Sequence, residues 1–325
     1  MTPSEDRVGT RVLAVWVLFA LWAVAVAATY ARVPVEELYN VSVGGARGGL
    51  GRALVFANFP TALVAIALLL IAADRLPGRA YAAAAAATVG LCAVVGGPGV
   101  VDQSDLDAKP INALAAAGVA GALVLSALAA FRPSPSYVGA PRPTTRFRSY
   151  PEKARVWFTH RAASGTRLRQ HPHTLGGLVR LVASALIVLA SLPWVAAELG
   201  FYLDGPFLGS ELRPEPGHPD IRAVHLGHHH GMDGSLLALS ALALWPIPAL
   251  MGRPRLRAAV AAYLSLMLAY GLANAVQDFW GEQVFKRGWV DEPLPGVLRP
   301  DATLAWLGIL LAAALAYRLR YRAAR

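Results

Sequence analysis

Eight apolar runs, near 12–31, 53–73, 80–97, 111–131, 178–199, 234–252, 257–277 and 302–318, recur along this chain between polar segments. Each approaches the roughly 20 residues that an α-helix needs to cross about 30 Å of hydrocarbon. In lipid every backbone N–H and C=O must be satisfied internally, and a run of this length satisfies its own as a helix. The expected fold is therefore all-α, a polytopic integral membrane helical bundle of eight transmembrane helices forming a single membrane domain over 1–325. The composition agrees, because 56% of residues are hydrophobic and 15% charged, an apolar share above that of an ordinary soluble domain. The first run could pass for a signal peptide, but its length and the similar runs after it favour a retained helix. Small residues such as Gly90, Gly118 and Gly121 allow close helix approach.

The formal charge of +10 raises the question of a nucleic-acid partner, which the placement of the charges answers. Summed over alternate connecting segments, one face carries 21 of the 30 basic residues and 4 of the 20 acids. Cytoplasmic loops are enriched in Lys and Arg, so the basic face is expected inside, with both termini cytoplasmic. This sorting explains the basic pI without nucleic acid. Basic positions are nearly all Arg, a bias of high-GC bacterial coding, and the expected location is the bacterial cytoplasmic (inner) membrane.

The longest inner segment, 132–177, opens with a Pro-rich linker and continues with Trp157 and Phe158 among Arg and Lys. It reads as a cytoplasmic basic loop lying on the bilayer, with anionic lipid head groups as its partners. Cys92 is the single cysteine, which excludes an intramolecular disulfide and a thiolate cluster.

On the outer face one segment concentrates potential ligands: His225-Leu-Gly-His228-His229-His230-Gly-Met-Asp233-Gly. If the sixth helix begins at Asp220, then His225, His228 and His229 share one face, with Asp233 a turn beyond His229. Imidazoles at that spacing chelate a divalent ion, so His225, His228, His229 and Asp233 are the candidate metal ligands. Zinc is the first candidate, with copper or iron as alternatives. A solvated, pH-sensitive His-rich turn is the competing interpretation.

A second constellation lies at the outer end of the seventh run, where Asn274, Asp278 and Glu282 recur every four residues as a polar stripe. Polar groups at that depth need the bundle interior or water. Antiparallel packing of the sixth and seventh helices is expected to bring Asp278 or Glu282 beside His229 or Asp233. Asp278 and Glu282 are thus the candidate catalytic carboxylates, completing a metal shell or acting as general base. The competing interpretation is an interfacial helix end anchored by Trp280 and Trp289.

His225-x-x-His228-His229 resembles one histidine box of the membrane di-iron hydroxylases and desaturases. The remaining boxes are missing and His160, His171 and His173 fall on the opposite face, so that family is not assigned. A zinc-protease His-Glu-x-x-His, a nucleophile elbow and a phosphate-binding Gly loop are also missing. The leading functional expectation is a metal-dependent membrane enzyme acting on a lipid or lipid-linked substrate by hydrolysis or oxidation. The alternatives are a non-catalytic scaffold or assembly factor and a metal or heme handling protein.

Overall fold

The structure, a computed structural model, describes residues 3–35, 48–76, 78–96, 110–130, 174–205, 208, 209, 222, 224, 226, 230–298 and 300–322. All regular secondary structure among the described residues is helical. Helices coincide with each apolar run: α1 (Pro3–Tyr30), α2 (Gly49–Ala73), α3 (Gly78–Gly96) and α4 (Pro110–Ala130), then α5 (Thr174–Glu198), α6 (His230–Leu244), α7 (Pro254–Trp280) and α8 (Leu304–Tyr317). Five stretches are long and apolar enough to cross a membrane: Val8–Tyr30, Gly176–Glu198, His230–Leu250, Pro254–Phe285 and Leu304–Tyr321. In α2, α3 and α4 the described apolar helices are shorter, Pro60–Ala73, Ala82–Cys92 and Ala117–Ala129. The basic loop over 132–177 falls outside the described residues except for its last four, which open α5.

Local sequence explains where the helices stop. The sixth run does not continue as one helix to 252. It ends as α6 at Leu244 and resumes as a 3-10 turn over Ile247–Leu250, because Pro246 and Pro248 lack the N–H that an α-helical ladder needs. The seventh run extends further than expected, through α7 and into a π-helical turn over Gly281–Phe285, so Asn274, Asp278 and Glu282 share one continuous rod. Thr303 caps α8 by accepting the Trp306 N–H at 3.3 Å.

Packing divides the bundle into two parts. The larger core draws Val12 and Phe19 from α1, Leu68 from α2, Trp194 from α5, Leu237 and Leu244 from α6, and Leu264 from α7. A smaller one joins α2, α3 and α4 through Leu69, Ala85, Cys92 and Ala122. α6 and α7 form the most intimate helix pair. They meet glycine to glycine, and a Cβ added at Gly271 would stand 2.6 Å from the Gly234 carbonyl oxygen. Large apolar side chains such as Leu21, Leu181 and Leu311 point out of the bundle, as a lipid-facing surface requires. At the arginine-rich end, Asp74 accepts the backbone N–H of Gly252 at 3.1 Å and of Arg253 at 2.9 Å, fastening the end of α2 to the start of α7.

Candidate functional site

The opposite end of the bundle gathers buried acids. Glu198, Asp233, Asp278 and Glu282 are all between 3% and 8% exposed. They come from three helices whose ends meet there. The last turns of α5 supply Trp194 and Glu198, four residues apart and hence on one face. The first turn of α6 supplies Gly231 and Asp233, while α7 and its π-helical turn supply Asp278 and Glu282.

Hydrogen bonds join these elements. Gly231 donates its backbone N–H to Asp278 Oδ2 at 2.6 Å, so a carboxylate of α7 caps the start of α6 from outside that helix. The indole Nε1 of Trp194 donates to Glu282 Oε2, joining α5 to the π-helical turn. The Trp194 ring also packs so closely on Gly231 that a Cβ there would collide with it. Tyr30, at the end of α1, donates to Glu198 Oε1 at 3.5 Å. Arg52, in the first turn of α2, is fully buried.

Electrostatic neighbourhoods show how tightly the charges are gathered. Asp233 lies within electrostatic reach of Glu198 and Asp278, and Tyr30 within reach of Glu198, Arg52 and Asp233. Asn274, one turn before Asp278, donates to the Tyr270 carbonyl at 2.9 Å. Its Oδ1 is buried with no hydrogen-bond partner. Taking a carboxylate out of water costs several kcal/mol even after relaxation, so acids gathered in this way are either protonated or matched by positive charge. Arg52 lies within the cluster, and Lys286 lies within reach of Asp278.

The residues singled out in the sequence fare differently. Asp233, Asp278 and Glu282 are buried at one end of the bundle, and Asp278 is bonded two residues from Asp233. His225, His228 and His229 lie outside the described residues. Of the stretch expected to be helical from Asp220, the described residues Arg222, Val224 and Leu226 are non-helical, and α6 is described from His230. Val224 and Leu226 are buried against the bundle, and the Asp278 cap sets the helix start at the Gly231 N–H. Arg222 is turned outward instead, pairing with Asp204 at 3.2 Å and covering the Tyr202 ring at 4.6 Å. Among the described residues no group of three or more His, Cys, Asp or Glu side chains is arranged to hold a metal ion. Of the expected metal set, only Asp233 is described.

Sequence reasoning missed Tyr30, Arg52 and Trp194. Trp194 and Glu198 carried a usable signal in their four-residue spacing, and Arg52 in being a cation at the very edge of an apolar run on the acid-rich side.

Five helices suited to crossing a membrane, with apolar side chains facing outward, define a multi-pass helical membrane architecture, here with a buried carboxylate centre at one end of the bundle. No protein-family model, curated protein or solved structure matches the chain.

Proposed function

We propose that this is an eight-span protein of the bacterial cytoplasmic membrane, with both termini inside. Its outer carboxylate centre binds a divalent cation, zinc first among the candidates, for hydrolysis or oxidation of a lipid-borne substrate. One observation carries the reading: Glu198 and Asp278 lie within electrostatic reach of Asp233 in a buried site that a bound cation would stabilise. His225, His228 and His229 stand in the segment leading directly into α6. They supply the imidazole ligands that the described carboxylates lack. Asp278 and Glu282, buried in the same centre, are the groups suited to accept a proton from a reacting water.

The test is the metal content of the purified full-length protein, measured by elemental mass spectrometry. Near-stoichiometric zinc, copper or iron is expected, with a several-fold loss in His225→Ala, His228→Ala, His229→Ala and Asp233→Asn. Metal-free wild-type protein, or variants with unchanged content, would overturn the reading.

A second reading, a non-catalytic scaffold, has its own support. Asp278 and Glu282 are both committed to hydrogen bonds that join helices. It predicts that the His variants complement a deletion fully and that no metal copurifies.

A further inference from the structure

At the end of the bundle opposite the carboxylate centre, Arg11 of α1 and Tyr321 beyond α8 bond carbonyls at the C-terminus of α6, and two further arginines lie within reach of them. Arg11 of α1 donates from Nη1 to the Ala243 carbonyl at 2.8 Å. Two residues on, the Trp245 carbonyl accepts the Tyr321 hydroxyl at 2.8 Å, and the two rings lie 5.4 Å apart. Tyr321 belongs to a π-helical turn, Arg318–Arg322, that extends α8. Arg320, in the same turn, stands 5.9 Å from the Tyr321 ring centroid. Arg180, in the second turn of α5, lies within electrostatic reach of Arg11, Arg320 and Tyr321. Asp74, the acid whose side chain is described at this end, is already bonded to the backbone of Gly252 and Arg253.

Like charges held together in this way call for an anion, and their surroundings indicate which kind. Arg180 sits between Leu178 and Leu181, which are 58% and 68% exposed, and Arg320 follows Leu319, which is 69% exposed. The arginines therefore mark the border between an outward apolar band and a polar end. A free anion would gain nothing from that band, whereas a lipid would lay its acyl chains along the leucines and its phosphate among the guanidinium groups. We infer that Arg11, Arg180 and Arg320 form a binding site for the phosphate of an anionic phospholipid, at the rim between α1, α5 and α8. The site is separate from the proposed metal centre and independent of it.

The experiment compares thermal melting of the full-length protein in nanodiscs of phosphatidylcholine alone and of phosphatidylcholine mixed with phosphatidylglycerol. Native mass spectrometry then counts the retained lipid. The anionic lipid should raise the melting temperature by about 3 °C or more, and phosphatidylglycerol adducts should survive on the wild type. Arg320→Gln and the double variant Arg180→Gln/Arg320→Gln should lose at least half of both signals, while Arg255→Gln, a control at the same end, should keep them. Adduct counts on the single variant keep the test decisive if the double variant does not fold. An equal rise with inorganic phosphate in phosphatidylcholine discs would overturn the lipid assignment. Full retention of the lipid effect in the Arg180 and Arg320 variants, or no effect on the wild type, would overturn the site itself.

Discussion

Gly271 and Gly234 set the distance between the two helices that carry most of the buried acids. A side chain on Gly271 would meet the Gly234 carbonyl oxygen at 2.6 Å and the Ala238 nitrogen at 2.8 Å, and backbone atoms cannot swing aside as a long side chain can. Gly271→Val is therefore expected to destabilise the protein by about 1–3 kcal/mol, the usual cost of overpacking. A lower melting temperature in detergent is the readout, and an unchanged one would contradict the close crossing. In the sequence Gly231 and Gly234 are visible as residues that weaken a helix and permit close approach. Their partners, Trp194 and Gly271, are not visible, because each contact depends on how another helix is placed. Asn274 shows the same limit: its depth can be read from spacing, but its unsatisfied Oδ1 depends on what surrounds it.

At the scale of the element, α6 is a helix whose start is set by its neighbour. Its first N–H groups have no partner within the helix, and Asp278 of α7 accepts one of them. Asp278→Ala is expected to cost about 0.5–2 kcal/mol, as loss of a cap does. Hydrogen exchange at Gly231 and Met232 should accelerate. Asp278→Asn keeps an acceptor oxygen and should stay close to the wild type in both measurements. Equal effects of the two substitutions would mean that the charge, rather than the hydrogen bond, holds the helix start. Local sequence alone does not fix where α6 starts, because 220–230 contains no proline after Pro219 to forbid a helix. The segment's described residues Val224 and Leu226 are non-helical and buried against the bundle, a burial that depends on segments distant in the chain.

Over the whole molecule, the charge distribution and the packing can be compared directly. The acid-rich end of the sequence pattern is the end where Glu198, Asp233, Asp278 and Glu282 are buried, and the arginine-rich end is where Arg11, Arg253 and Arg257 bond backbone carbonyls. The proposed orientation gives a direct test, made simple by the single cysteine. In a Cys92→Ser background, Glu292→Cys should react with a membrane-impermeant maleimide in intact bacterial cells whose outer membrane has been made permeable. Ser136→Cys should react only after the inner membrane is opened. The reverse labelling order would invert the topology.

The sequence by itself determines that this chain is helical, that several of its helices suit a membrane, and that its charges sort to two faces. Those properties are sums over neighbouring residues, so length, hydropathy and charge count suffice to read them. Only the tertiary structure decides that Asp278 caps α6, that Trp194 holds Glu282, and that Tyr30 and Arg52 join an acidic centre. Burying a polar side chain depends on what several distant segments place around it, and no local pattern in the chain encodes that company.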